Sequence, residues 1–176
     1  MSSPVSVSVI TVTYNAVEFI AHYLDSVFAI TPTDFSLEVL VVDNGSTDGT
    51  LALFESEYAG VRLLKNDQNN YARALNLGIA SATGDFIVIS NNDATVDSGW
   101  VQGFLQVFQT DERIGAVQSK IFFSDSQLIN SVGVEEVEHF YFRDIGFEEE
   151  DSDRYSKSVE RNYVTGGSVM FRRECL

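Results

Sequence analysis

Val5, Val7 and Val9 alternate with Ser6 and Ser8 in a β-branched run that ends at Thr13. That period of two predicts a strand. After the break at Tyr14-Asn15-Ala16, the residues Val17, Ile20, Ala21, Leu24, Val27 and Phe28 recur at helical spacing, and Thr31-Pro32-Thr33 closes the helix. The cycle repeats. Residues 37–42 read as a second strand, stopped by Asp43-Asn44-Gly45-Ser46-Thr47-Asp48-Gly49, and a helix carrying Leu51, Leu53 and Phe54 follows. Residues 61–64 read as a third strand, 65–70 as a polar loop, and Ala72, Leu75, Leu77 and Ile79 as the face of a third helix ended by Thr83-Gly84. A short apolar run, 86–90, then stops at Asn91-Asn92-Asp93. Parallel strands need crossovers and helices supply them, so the pattern predicts an α/β domain with a mostly parallel sheet flanked by helices on both faces.

Beyond Asp93 the pattern predicts a helix over 99–109 and one strand over 116–122. Residues 124–158 have little periodicity and many acids, including Glu148-Glu149-Glu150-Asp151, and read as short strands with a long, partly mobile loop. Order returns over 162–172, where Gly166-Gly167 precede an apolar run. Paired glycines there fit either a close backbone approach or a plain turn.

Three polar clusters follow three predicted strand ends: Thr13-Tyr14-Asn15, Asp43-Asn44-Gly45-Ser46 and Asn91-Asn92-Asp93. In an open parallel sheet such ends share one edge, where ligands bind. Tyr14 can stack on a base, Asp43 can accept hydrogen bonds from a base or ribose, and Asp93 offers a hard oxygen ligand to a divalent cation. Each has a plainer reading: Tyr14 as a core aromatic, Asp43 as a cap or turn former, Asn91 and Asn92 as turn residues. The conjunction of all three at one edge carries the inference.

Composition narrows the classes. The 176 residues suffice for one domain with a core, and 44% are apolar. The formal net charge of −15 disfavours nucleic acid and anionic lipid as partners, and it makes a cation more necessary for holding an anionic nucleotide. No segment is long and apolar enough to span a bilayer, and Met1 opens no secretory leader. The lone Cys175 fits a reducing compartment. There is no Gly-x-x-x-x-Gly-Lys, no Gly-x-Gly-x-x-Gly, no zinc-spaced Cys/His set and no Gly-x-Ser-x-Gly; His22 and His139 are isolated. The acidic 43–49 loop fails as a calcium site, because Gly45 stands at a ligand position and no glutamate closes the loop.

Taken together, Val9-Ile10-Thr11-Val12-Thr13-Tyr14-Asn15, Val41-Val42-Asp43-Asn44-Gly45-Ser46-Thr47-Asp48-Gly49-Thr50, the asparagine-rich 66–78 segment, Ala82-Thr83-Gly84-Asp85-Phe86 and Tyr163-Val164-Thr165-Gly166-Gly167-Ser168 resemble a family 2 glycosyltransferase with the GT-A fold, in its rhamnosyltransferase-like branch. The resemblance runs from Val5 to Glu174. It implies a single domain over 1–176, with a nucleotide-binding half (1–98) and a partial acceptor and sugar-side half (99–176). It also implies transfer, with inversion, from a nucleotide-diphosphate sugar such as a dTDP- or UDP-sugar to a glycan or lipid-linked glycan. By the same resemblance Thr13, Tyr14 and Asp43 contact the nucleoside and Arg73 neutralises phosphate. Asn92 and Asp93 face the diphosphate, Asp93 holds Mg²⁺ or Mn²⁺, and Gly166 and Gly167 lie beside the sugar. The location implied is cytoplasmic, at the inner membrane face if the acceptor is lipid-linked.

Two departures matter. Asn91 stands where the family's Asp-x-Asp motif often has its first carboxylate, which weakens the pull on a dication. The family's general base lies in an acidic motif after the glycine strand, whereas this sequence ends at Leu176. The expectation is therefore a C-terminally incomplete member that keeps donor binding, with its base unassigned. The alternative from another class is a non-catalytic nucleotide-sugar-binding or interaction module. A sugar-phosphate nucleotidyltransferase would need a glycine-rich basic loop after the first strand, which Val12-Thr13-Tyr14-Asn15-Ala16 does not provide.

Overall fold

The computed structural model describes residues 4–176. Its centre is a six-stranded sheet. The parallel strands β1 (Val5–Thr13), β2 (Phe35–Asp43), β3 (Arg62–Lys65) and β4 (Phe86–Ser90) alternate with helices α1 (Ile20–Phe28), α2 (Thr50–Glu57) and α3 (Tyr71–Ser81). Helix α4 (Trp100–Phe108) follows β4 and leads to β5 (Ala116–Gln118). The spatial order is β3-β2-β1-β4, then the late strand β10 (Ser168–Arg172), then β5 at the edge. β10 runs antiparallel to both its neighbours, so the sheet is mostly rather than wholly parallel.

The alternating residues of the strands feed two cores. Val7, Val9, Val39, Val41, Val88 and Met170 face the helices that carry Ile20, Leu24, Phe54, Trp100 and Phe104. Ile10, Leu40, Val42, Ile87, Ile89 and Val169 face α3, around Ala74. Helices therefore cover both faces, as the crossover argument requires. Ser8, on the second face, is fully buried. Its hydroxyl donates to Glu38 Oε2 at 2.6 Å and accepts from the N–H of Gly84 at 2.8 Å, which satisfies it inside the fold.

The expected single strand over 116–122 is two strands. Ser119 breaks it: its N–H donates to Ser168 O at 3.1 Å and its hydroxyl to Ser168 Oγ at 2.6 Å. The chain then leaves the main sheet, and β6 (Ile121–Phe122) pairs with β7 (Ile129–Ser131). The acidic stretch that follows contains a hairpin of β8 (Val134–Glu138) and β9 (Tyr141–Asp144), turning at His139 and Phe140, both with positive φ. Its acids are used as braces: Asp151 pairs with Lys120, and Glu149 with Arg154 and Tyr155. Among the described residues no helix is long and apolar enough to cross a membrane.

The turn into β4 is packed against β1 backbone. A Cβ on Gly84 would lie 2.6 Å from Ser8 N and 2.8 Å from Val7 C, atoms that cannot swing aside. Gly103 on α4 has nothing within 4 Å of the same position. Gly84→Ala is expected to destabilise by about 1–3 kcal/mol through overpacking, whereas Gly103→Ala should stabilise by about 1 kcal/mol through helix propensity. Urea unfolding of the two variants beside the parent checks both signs.

Candidate functional site

The strand register brings the three polar clusters together. Thr13 is level with Asp43, Asp43 with Lys65, and Ile10 with Ile89, so β1, β2, β3 and β4 end at one edge. The Asn92 amide donates to Thr13 Oγ1 at 3.1 Å, tying the end of β4 to the end of β1 across the sheet. Because β10 is antiparallel, its first residue, Ser168, is level with Ser90. That places Gly166 and Gly167 at the same edge, and the N–H of Asn91 donates to Gly167 O at 3.2 Å.

Each expected residue has a definite place along this edge. Thr13 is buried, with its hydroxyl facing Asn92, and Tyr14 beside it is half exposed. Asp43 is 2% exposed, and its carboxylate accepts the N–H groups of Gly45 and Ser46, so it forms the turn as well as lying at the strand end. Asn92 is half-buried, and Asp93 is exposed beyond it. Gly166 faces open space, and a Cβ on Gly167 would crowd Ile121 Cδ1 at 3.1 Å. Arg73 lies on the first turn of α3, exposed, with its guanidinium donating to Gln68 Oε1 at 3.2 Å. Residues from five chain segments thus line one polar edge: an aromatic face, two carboxylates, a guanidinium and bare glycine backbone.

Among the described residues no cluster of three or more His, Cys, Asp or Glu side chains could hold a metal by itself. The edge offers Asp93 with Asn91 and Asn92. Mg²⁺ commonly uses one or two carboxylates and completes its shell with substrate phosphates and water, so this donor set fits a metal that arrives with a diphosphate.

The sequence model of the family described as Glycosyl transferase family 2 matches residues 8–176. The chain belongs to that family. Over 101 residues it is 37% identical to the glycosyltransferase AglE of Haloferax volcanii, covering 54% of this chain and 33% of that protein. It is 31% identical over 121 residues to the N-acetylglucosaminyl-diphospho-decaprenol L-rhamnosyltransferase of Mycobacterium tuberculosis, covering 62% of this chain and 39% of that one. Among solved structures it resembles the mannosyltransferase PcManGT of Pyrobaculum calidifontis in complex with GDP-Man and Mn²⁺, with a TM-score of 0.58 and 31% identity over 65% of this chain and 35% of the other. The fold is the α/β fold of GT-A glycosyltransferases. The chain spans between a third and two fifths of the length of these two curated relatives.

The same edge also contains asparagines to which the sequence alone assigns no site role. Asn44 and Asn66 are both 3% exposed, and Asn66 donates to Asn44 Oδ1 at 2.7 Å. Asn44 Oδ1 also accepts from the N–H of Asn70, and its amide donates to Asn69 Oδ1 at 3.0 Å. Asn70 in turn caps α3 by accepting the N–H of Arg73 at 3.0 Å. This amide chain fixes the loop that carries Arg73 to the end of β2. The available signal was Asn70, a good N-cap residue directly before an apolar-periodic run. Asn15 plays the same part between β1 and α2: its Oδ1 accepts the N–H of Thr47 at 2.8 Å, and its N–H donates to Ser46 Oγ.

Asp48 completes that junction, accepting from Thr50 and from the N–H of Val17 at 3.1 Å. The Thr50 hydrogen bonds hold its carboxyl below the usual carboxylate range, against the opposing effect of partial desolvation. A depressed folded pKa contributes stability that is complete above the unfolded value and lost as pH falls through the folded one. The urea midpoint of Asp48→Asn should therefore decline less than the parent's on acidification through the carboxylate range, while parallel declines would contradict this role.

Proposed function

We propose that this chain binds the donor for a glycosyl transfer in which an acceptor hydroxyl attacks the anomeric carbon of a nucleotide-diphosphate sugar. The observation that carries the reading is the convergence of Tyr14, Asp43, Asp93 and Gly166-Gly167 at one sheet edge, although they are distant in the chain. Tyr14 provides the face for a base. Asp43 accepts the N–H groups of Gly45 and Ser46, and its remaining lone pairs would accept from a base N–H or a ribose hydroxyl. Arg73 provides a positive charge in a chain of formal net charge −15. Asp93, aided by Asn91 and Asn92, would hold Mg²⁺ or Mn²⁺. A bound dication there would neutralise diphosphate charge and favour its departure. Gly166 and Gly167 leave backbone open beside that point.

Transfer with inversion is a single displacement: the acceptor oxygen bonds to the anomeric carbon as the bond to the nucleoside diphosphate breaks on the opposite face. The acceptor proton goes to a base that we leave unassigned. Glu149 and Asp151, in the acidic cluster upstream of the glycine strand, are committed to Arg154, Tyr155 and Lys120. The donor we favour is a dTDP- or UDP-sugar, and the acceptor a glycan or lipid-linked glycan met at the cytoplasmic face of a membrane. Support for a lipid-linked acceptor is the likeness to the decaprenol rhamnosyltransferase, and support for a divalent metal is the likeness to PcManGT.

Calorimetry with UDP, dTDP and GDP, each with and without Mn²⁺, tests the reading. Asp93→Ala should abolish the gain in affinity that Mn²⁺ confers and leave metal-free binding intact. Asp43→Asn, which keeps an oxygen for the turn, should weaken binding with or without metal by about tenfold, the loss expected for one charged hydrogen bond. Nucleotide binding that ignores both substitutions would contradict the proposed site.

A further inference from the structure

A groove of about 1010 Å³ runs along the outer edge of β5, covered by residues 154–164. Ligand pockets for whole small molecules run to about 300–1,000 Å³, so this one can accept a substantial group. It is distinct from the nucleotide edge and linked to it by a short stretch of chain. Val164, on its wall, is two residues from Gly166, and Gln118 at its upper end accepts the N–H of Thr165 at 2.8 Å.

Its charge is the reverse of the rest of the molecule. The chain has 26 carboxylate residues and 11 Lys and Arg. Five of those cations, Arg113, Lys120, Arg154, Lys157 and Arg161, line this one groove, with only Asp111 and Glu160 as acids. Arg113, Lys120 and Arg154 are ion-paired. Lys157 and Arg161 have no ion pair among the described residues. Arg161 lies against the bare backbone of Gly133, where a Cβ would be 3.4 Å from its Cγ, so the stem is seated on the groove wall. Tyr163 adds a partly exposed aromatic ring, packed edge-on against Phe142 with centroids 4.8 Å apart.

We propose that this groove is an acceptor subsite for an anionic group, a phosphate or carboxylate carried by the molecule that receives the sugar. The assignment rests on the transfer reading above, which places the donor at the adjoining edge. Concentrating cations in a concavity of an otherwise acidic protein focuses anions there and away from the remaining surface. Lys157 and Arg161 supply the unpaired charge, and Tyr163 supplies a flat apolar face for a sugar ring. A broad anionic membrane surface fits poorly, because the formal net charge of −15 repels such a surface.

The test is an amide NMR titration of the intact chain with three probes: trigalacturonate, geranyl diphosphate and neutral maltotriose. UDP with Mg²⁺ is titrated separately in the same preparation. At least one anionic probe should shift the signals of Gly133, Lys157 and Arg161, with an affinity that falls as salt rises. The anion that binds tighter identifies a carboxylate or a phosphate source. The double variant Lys157→Ala/Arg161→Ala should weaken that binding by at least about tenfold, as expected for loss of a charge-assisted contact, and leave the UDP shifts at Tyr14 and Asp43 unchanged. The proposal is overturned if neither anion moves the groove signals, if maltotriose moves them equally, or if the double variant binds as the parent does. It is also overturned if those signals respond to protein concentration alone, which would mark a contact between copies. Silence at the nucleotide edge toward UDP would instead overturn the transfer reading, on a separate set of signals.

Discussion

The fold depends on one constraint: the parallel register of β1, β2 and β4, which ends three polar segments at a common edge. A slip of one residue in any pair would exchange the two faces of that strand. The two cores forbid it, because alternate apolar residues of β1 and β2 pack into different clusters, Val7, Val9, Val39 and Val41 in one and Ile10, Leu40 and Val42 in the other. Packing thus determines position at the site. The hydrogen bond from Asn92 to Thr13 is possible only because Ile10 stands level with Ile89 three residues earlier on each strand. The antiparallel β10 adds a fourth segment by entering the sheet from the site edge, so that its preceding glycines arrive beside Asn91.

An edge made of strand ends has a cost. Backbone groups leave the sheet there without ladder partners, and buried ones must find substitutes. The chain supplies them from the same residues that give the edge its chemistry. Asp43 accepts two N–H groups, Asn44 accepts the N–H of Asn70, and Asp48 accepts that of Val17. Turn-forming and ligand-binding are therefore not competing explanations of these residues. A carboxylate held by backbone donors is already oriented, so less ordering is required when a ligand arrives. Glu149 and Asp151 brace a loop, while Asp93 is an exposed carboxylate at the end of β4.

The strands whose limits were legible are those bounded by local signals. β1 and β4 match the sequence reading because alternation or an apolar run stops abruptly at polar residues. What was not legible depends on distant partners. The break at Ser119 comes from Ser168, forty-nine residues away, while both halves of 116–122 are β-prone. The β8–β9 hairpin was hidden because its strands are mostly exposed and so lack a buried period, and because its turn uses His139 and Phe140 in place of the usual Asn-Gly or Asp-Gly. At the site, residue types and strand ends were readable, but the amide chain from Asn44 to Asn70 was not, since its members had equally good local roles. The direction of β10, and hence the approach of Gly167 to Asn91, required the sheet itself.

In the proposed site one metal-bound diphosphate would touch segments that are far apart in sequence. Paramagnetic broadening of amide signals by Mn²⁺ in the presence of UDP measures this directly, because the effect falls steeply with distance from the ion. Broadening is expected to centre on Asn91, Asn92 and Asp93 and to extend to Gly167, Tyr14 and Asp43, while Ser6 and Asp85 at the opposite edge stay sharp. Broadening centred elsewhere, or confined to the residues around Asp93 with Gly167, Tyr14 and Asp43 untouched, would contradict that site.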